Sequence, residues 1–274
     1  MLDADITEIK PSGRWITLDL KELWAHRELL YFLTWRDVKI RYKQTAIGVA
    51  WAVLQPVLTT AIFTILFSRF ASFDTKEVPY PLFALSGLII WLFVHTSITM
   101  ASGSFISNAN LVTKIYFPRL IVPISAVLAG LFDLIFSFAI LAILMIYYGA
   151  APSARIALMP VFLILAIVQT LALGILFSAL NVRFRDVKFA LPFILQVWMI
   201  ASPIFYPIGI LSEKWRLFFA INPLTGILEG FRSSLFGTPF DWELIGVSVV
   251  STICISLFSL FIFKRMEDDF ADLI

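Results

Sequence analysis

Residues 82–105 read LFALSGLIIWLFVHTSITMASGSF, with no formal charge anywhere in the run. The stretch sits inside a longer uncharged segment, 78–113. A bilayer's hydrocarbon core needs about 20 apolar residues at about 1.5 Å each, so 82–105 predicts a helix that crosses a membrane. Working outward through the gaps between charges predicts further spans at about 48–68, 120–147, 156–180, 189–206 and 244–263, six in all. The fifth carries Pro192 and Pro203. One apolar run resists this reading: 217–228, LFFAINPLTGIL, is too short to cross and is broken at Asn222-Pro223. Following Pro203 and Pro207, it predicts a re-entrant external hairpin over about 207–236. A bilayer tolerates such a segment only where protein or water satisfies its backbone.

Composition agrees. Of 274 residues, 60% are hydrophobic and 15% charged, and the mean hydropathy is +0.91. A soluble domain carries about 45–50% apolar and about 25% charged residues. Too little polar surface is available to coat a water-soluble globule, which excludes a soluble enzyme. The expected fold is an all-α membrane protein. Residues 1–20 are of mixed charge without an apolar core, so no cleavable signal peptide is expected. The single cysteine, Cys254, can form no intrachain disulfide.

The positions of the charges orient the chain. With the N-terminus inside, 15 of the 21 Lys and Arg residues fall on the cytoplasmic side: eight in 1–43, then Lys114, Arg119, Arg183, Arg185, Lys188, Lys264 and Arg265. That excess puts both termini in the cytoplasm. The chain then divides into an N-terminal segment, 1–43, a six-helix transmembrane domain, 44–263, and a tail, 264–274. Within the first, Trp24, Tyr31, Trp35, Val38 and Tyr42 recur at near-helical spacing among Arg27, Arg36, Lys39 and Arg41. The pattern fits an amphipathic helix lying on the cytoplasmic leaflet, or a plain juxtamembrane anchor.

Small and polar residues line single faces of several spans. The third has Ser125, Ala129, Asp133 and Ser137; the fourth has Thr170, Gly174 and Ser178, continuing near Asn181; the sixth has Ser248, Thr252 and Ser256. Close backbone packing explains such stripes. In the first span Trp51, Gln55 and Thr59 share a face, which suits either a water-lined conduit or an interfacial indole beside one satisfied amide. Asp133 is the one formal charge deep in a span, a functional candidate by default, either hydrogen-bonded inside the bundle or protonated. His95 is its only titratable companion at depth. The chain has no phosphate-cradling G-x-x-x-x-G-K-[ST] loop, no H-E-x-x-H or G-x-S-x-G, and no Cys/His metal cluster. Work against a gradient would therefore draw energy from a partner.

Four segments carry a resemblance. WRDVKIRY at 35–42, followed by Gly48, Trp51 and Gln55-Pro56, resembles the entry to the first span of permease subunits in polysaccharide-exporting ABC transporters, the O-antigen, capsule and teichoic-acid export family. KIYFPR at 114–119 resembles their first cytoplasmic loop, and NVRFRD at 181–186 the loop before the fifth span. SPIFYP at 202–207, with Asn222-Pro223, Glu229 and Arg232, resembles their external hairpin. The matches run in order over about 24–265.

The resemblance implies a permease homodimer in a bacterial cytoplasmic (inner) membrane. Two copies of a separate ATPase subunit would bind the ATP and Mg, and this chain would hold no cofactor and no metal. It implies a lipid-linked polysaccharide as substrate; export of a drug or small lipid is the alternative within the class. Outside it stand a proton-coupled carrier using Asp133 and His95, and a membrane-embedded enzyme. The implied roles are ATPase coupling for Trp35, Arg36, Arg41, Lys114, Tyr116, Phe117, Pro118 and Arg119, and a cytoplasmic loop of Asn181, Arg183, Arg185 and Asp186. Tyr42, Trp51, Gln55, Gln196 and Trp198 would line the glycan conduit. Pro203, Tyr206, Pro207, Asn222, Pro223, Glu229 and Arg232 would form the external gate.

Overall fold

The computed structural model describes residues 20–43, 48–70, 78–210 and 212–273, and every regular element among them is helical. The basic residues of 1–19 and Lys76, which enter the charge count, lie outside the described residues. The described residues open with α1 (Leu20–Ala25) and α2 (Arg27–Lys43), then α3 (Gly48–Phe70), α4 (Tyr80–Ser107), α5 (Ala109–Lys114) and α6 (Ile121–Tyr147). A 3-10 turn, Ala154–Leu158, leads into α7 (Met159–Arg183), followed by α8 (Val187–Ile200), a short turn at Ile208–Ile210, α9 (Glu213–Ala220) and α10 (Pro223–Phe236). The long α11 (Trp242–Met266) and the short α12 (Phe270–Leu273) close it.

Five of these helices are long and apolar enough to cross a membrane: α3, α4, α6, α7 with its leading turn, and α11. They coincide with the expected first, second, third, fourth and sixth spans. The expected fifth span is shorter than its apolar run. α8 has 14 residues, about 21 Å at about 1.5 Å per residue, and stops at Ile200 instead of continuing to 206. The reason is local. Pro203 has no N–H to continue the ladder, the Ser202 hydroxyl turns back to donate to the Trp198 carbonyl at 2.8 Å, and the Tyr206 hydroxyl caps the Ile200 carbonyl at 2.9 Å.

α4 is the axis of the bundle, packed most extensively against α6 and α7 and touching α3, α8 and α10 as well. Small residues permit this. A Cβ on Gly130 would overlap the Ser97 hydroxyl, and one on Gly174 would press on Ala101 and Val127. The predicted stripes are packing faces: Ser125, Ala129 and Ser137, then Thr170, Ser178 and Asn181, then Ser248 and Thr252 are all buried.

The bundle has two differently built ends. At one, Leu33 of α2 shares an apolar cluster with Phe105, Val112, Phe117, Leu120, Phe263 and Phe270, so α1, α2, α5, the 115–120 loop and α12 lie together. At the other stand the break after α8, then α9 and α10. α10 is buried from Pro223 to Leu235 with the single exception of Glu229. It begins with Pro223 behind an Asn222 cap, whose side chain accepts from the Leu224 N–H at 3.1 Å, and ends at Gly237 with φ 77°, the left-handed geometry that suits glycine as a helix stop.

Candidate functional site

Three groups of residues converge in the fold. The first is the α1–α2 end. There α2 lies along α6, with Trp35 6.0 Å from Phe132 and Tyr42 5.9 Å from Phe136 between ring centroids. Arg36 pairs with its neighbour Asp37 at 2.8 Å, and Lys39 stands 5.5 Å over the Trp35 ring. The 114–119 loop divides. Lys114 is exposed, Tyr116 is 72% exposed, and Phe117 is 4% exposed inside the apolar cluster. Pro118 and Arg119 are half-buried, with the Arg119 guanidinium 5.9 Å over the Phe270 ring. Tyr116 thus offers a surface, and Phe117 anchors the loop that carries it. Trp24, Tyr31, Phe32 and Ile115 are further exposed apolar groups at this end.

Of the residues expected in a cytoplasmic loop, Asn181 is buried and donates to the Ser102 carbonyl of α4 at 2.8 Å. The Arg183 guanidinium lies 5.8 Å over the Phe184 ring. Among the described residues no ion pair joins Asp186 to Arg183 or Arg185; Asp186 stands at the head of α8, where its carbonyl accepts the first bonds of that helix.

The second group lines a cavity of about 550 Å³ between α2, α3, α4 and α6. Tyr42, Trp51 and Gln55 meet there with Asp133, His95 and Arg41. The Asp133 carboxylate accepts from the Arg41 guanidinium and from the Tyr42 hydroxyl, and Arg41 also reaches the Met100 sulfur. Burial first, then the adjacent carboxylate, push the Tyr42 phenol above its ordinary range, so it stays protonated and donates. The intramembrane carboxylate therefore has a named counter-charge 92 positions away in the chain. Both residues stand out in the sequence, but nothing local pairs them. The signal is present: a lone carboxylate at depth demands a cation, and Arg41 lies in the last turn of α2, the helix that precedes the first span. Two conduit candidates lie elsewhere. Gln196 is exposed on α8, while Trp198 packs edge-on against Trp91 at 5.7 Å and donates its indole N–H to the Asn222 side chain at 2.9 Å.

The third group surrounds the irregular segment after α8, where side chains take the place of a helical ladder. Asn222 donates to the Ala201 carbonyl at 3.1 Å and to the Ser202 hydroxyl at 2.8 Å. Arg232, 3% exposed, donates to the Pro203 carbonyl at 2.7 Å and to the Ile204 carbonyl at 2.6 Å. The Tyr80 hydroxyl donates to the Phe205 carbonyl at 2.9 Å. Buried carbonyls need partners, and this set supplies them in sequence. Glu229 approaches Arg232 at 3.4 Å as an i,i+3 pair, yet the guanidinium is committed mainly to backbone and lies 3.7 Å over the Phe83 ring. Gly87 makes room, since a Cβ there would overlap Arg232 and the Ile204 carbonyl. Tyr80 and Gly87 had no role in the sequence reading, because nothing in a lone Tyr or Gly of an apolar span marks a contact more than a hundred positions away.

Known proteins share this pattern of sequence. The chain is 28% identical over 258 residues to the O-antigen export system permease protein RfbA of Myxococcus xanthus, covering 92% of this chain and 98% of the relative. It is 27% identical over 248 residues to the protein of the same name from Klebsiella pneumoniae, covering 90% and 95%. The polysialic acid transport protein KpsM of Escherichia coli is 24% identical over 206 residues, covering 73% of this chain and 78% of that protein. Residues 28–236 match the family described as ABC-2 type transporter, and with most of its length inside that match the chain belongs to the ABC-2 type transporter membrane family.

Proposed function

We propose that this chain is the membrane-spanning permease subunit of an ATP-driven exporter that moves a lipid-linked polysaccharide across a bacterial cytoplasmic membrane. The observation that carries the reading is the near end-to-end similarity to O-antigen export permeases, in a chain without a phosphate-cradling loop of its own. ATP and Mg belong to a partner ATPase. Two ATPase copies and a second copy of this chain complete the assembly.

In this scheme α8 and the segment after it make a sixth crossing, and both termini face the cytoplasm. α1 and α2 with the 114–119 loop form the face on which the ATPase docks. The exposure of Tyr116 beside Trp24, Tyr31 and Phe32 supports that role. Tyr42, Trp51 and Gln55 contribute to the glycan path, supported by their shared cavity of about 550 Å³, where an exposed indole stands beside polar side chains. Pro203, Tyr206, Pro207, Asn222, Pro223, Glu229 and Arg232 belong to the external gate, and the irregular backbone of 201–205 is held by side chains as a bilayer requires.

Deleting the gene tests the reading. The strain should lose its surface polysaccharide and accumulate glycan inside, and the wild-type chain should restore export only together with its ATPase. A deletion strain with normal surface polysaccharide, or with altered drug sensitivity alone, would overturn it.

A further inference from the structure

A second cavity, of about 610 Å³, lies at the α9–α10 end of the bundle and shares no lining residue with the one assigned to the glycan path. Glu229, Arg232 and Ser233 of α10 form one wall, Pro207 to Ile210 another, and the 238–242 segment a third. Its volume is that of a small-ligand pocket. Its lining is more specific than that. Phe240 and Trp242 stand 5.1 Å apart between centroids, and Phe240 is braced from behind by Phe162 at 5.9 Å and by the Arg155 guanidinium at 5.7 Å. Trp242 is the first residue of α11 and is 66% exposed.

The charges argue for the class of ligand. Among the described residues that line the cavity, each carboxylate has an arginine: Asp241 accepts from Arg216, and Glu229 lies 3.4 Å from Arg232. The set is internally neutralised. An anion would meet no surplus of cations, and a metal ion no surplus of carboxylates. An alkyl chain would strand these polar groups. What remains is a neutral, polyhydroxylated ligand, whose hydroxyls exchange hydrogen bonds with paired carboxylates and guanidinium groups. The electron-poor C–H face of a sugar ring can rest on the negative face of an indole or phenyl ring.

We propose that this cavity is a saccharide subsite at the exit end of the permease, with Trp242 and Phe240 as the platform and Asp241, Arg216 and Glu229 as hydroxyl partners. The proposal rests on the polysaccharide-export reading. A sugar held here as it emerges would oppose backward slippage of the chain between ATP cycles.

The test uses the full chain with its ATPase in nanodiscs, where both faces are reachable. In a Cys254→Ser background, Ile210→Cys places a reporter thiol on the cavity rim. Gly209→Cys is a second reporter, since a Cβ there meets nothing within 4 Å. The probe is a set of short oligosaccharides released by partial acid hydrolysis of the strain's own surface polysaccharide. Maleimide labelling of the reporter should slow saturably, by about fivefold when the oligosaccharide is about four times its Kd. Trp242→Ala should abolish the protection, while Trp215→Ala on α9 should leave it intact. Unslowed labelling of both reporters, or equal protection in Trp242→Ala, overturns the subsite. If that occurs while gene deletion still removes surface polysaccharide, the export reading stands and only the subsite falls. A deletion without effect on surface polysaccharide removes both.

Discussion

Replacing Arg232 by Met keeps most of the side chain's length and its packing while removing every donor. The two shortest bonds, 2.6 Å to the Ile204 carbonyl and 2.7 Å to the Pro203 carbonyl, serve the irregular segment after α8. A buried acceptor stripped of its partner costs about 1–3 kcal/mol, so the pair is worth about 2–6 kcal/mol. The contacts to the Phe83 carbonyl at 3.3 Å and to Ser86 and Glu229 at 3.4 Å are at the long end of hydrogen-bond geometry and add little. Removing a buried guanidinium also relieves its desolvation, which offsets part of the loss, leaving about 3 kcal/mol. For a chain of this size about 1 kcal/mol moves Tm by about 2–4 °C, so Arg232→Met should melt about 6–12 °C below wild type. Thermal unfolding of the detergent-solubilised chain, followed by tryptophan fluorescence, is the assay. Arg232→Lys should fall between the two, because an ammonium cannot present the guanidinium's planar fork to two carbonyls. Glu229→Gln should cost less than about 1 kcal/mol. An Arg232→Met chain melting within about 2 °C of wild type would show that backbone capture by this side chain does not hold the segment.

Three further outcomes are expected. Tyr116→Ala should leave Tm unchanged yet cut polysaccharide export measured at the cell surface, whereas Phe117→Ala should destabilise by about 3–5 kcal/mol; equal melting losses in both would contradict the division between surface and anchor. Arg41→Ala and Asp133→Ala should be non-additive in a double-mutant cycle on unfolding, with a coupling of about 1–2 kcal/mol, and strict additivity would remove the tie between α2 and α6. Gly230→Ala should destabilise by about 1–3 kcal/mol because its Cβ would overlap the Phe162 ring. Gly103→Ala, which meets nothing within 4 Å, should be neutral or gain up to about 1 kcal/mol; the reverse order of the two melting temperatures would refute this packing.

The sequence alone determined the class of the protein and five of its crossing helices. Long uncharged runs are a local property, and lipid imposes one response on them, a helix that satisfies its own backbone. The small-residue stripes of α6, α7 and α11 were legible for the same reason, since helical spacing brings Ser125 over Ala129 without knowledge of the partner. The boundary of α8 was not legible. Apolar composition continues past Ile200, and beyond the local break at Pro203 the stop is held by Tyr206 of the segment itself, Tyr80 of α4, and Asn222 and Arg232 at the cap and in the body of α10, which capture carbonyls from 200 to 205. The same holds for the candidate sites. Sequence marked Tyr42, Trp51, Gln55 and, apart from them, Asp133, and the resemblance set Gln196 and Trp198 beside the first three. Only packing brought the first four around one cavity, tied Asp133 to Arg41, and turned Trp198 toward Asn222. Hydropathy reports what each residue prefers as solvent, whereas pairing across ninety or more positions depends on which helices meet, and that is decided by tertiary structure.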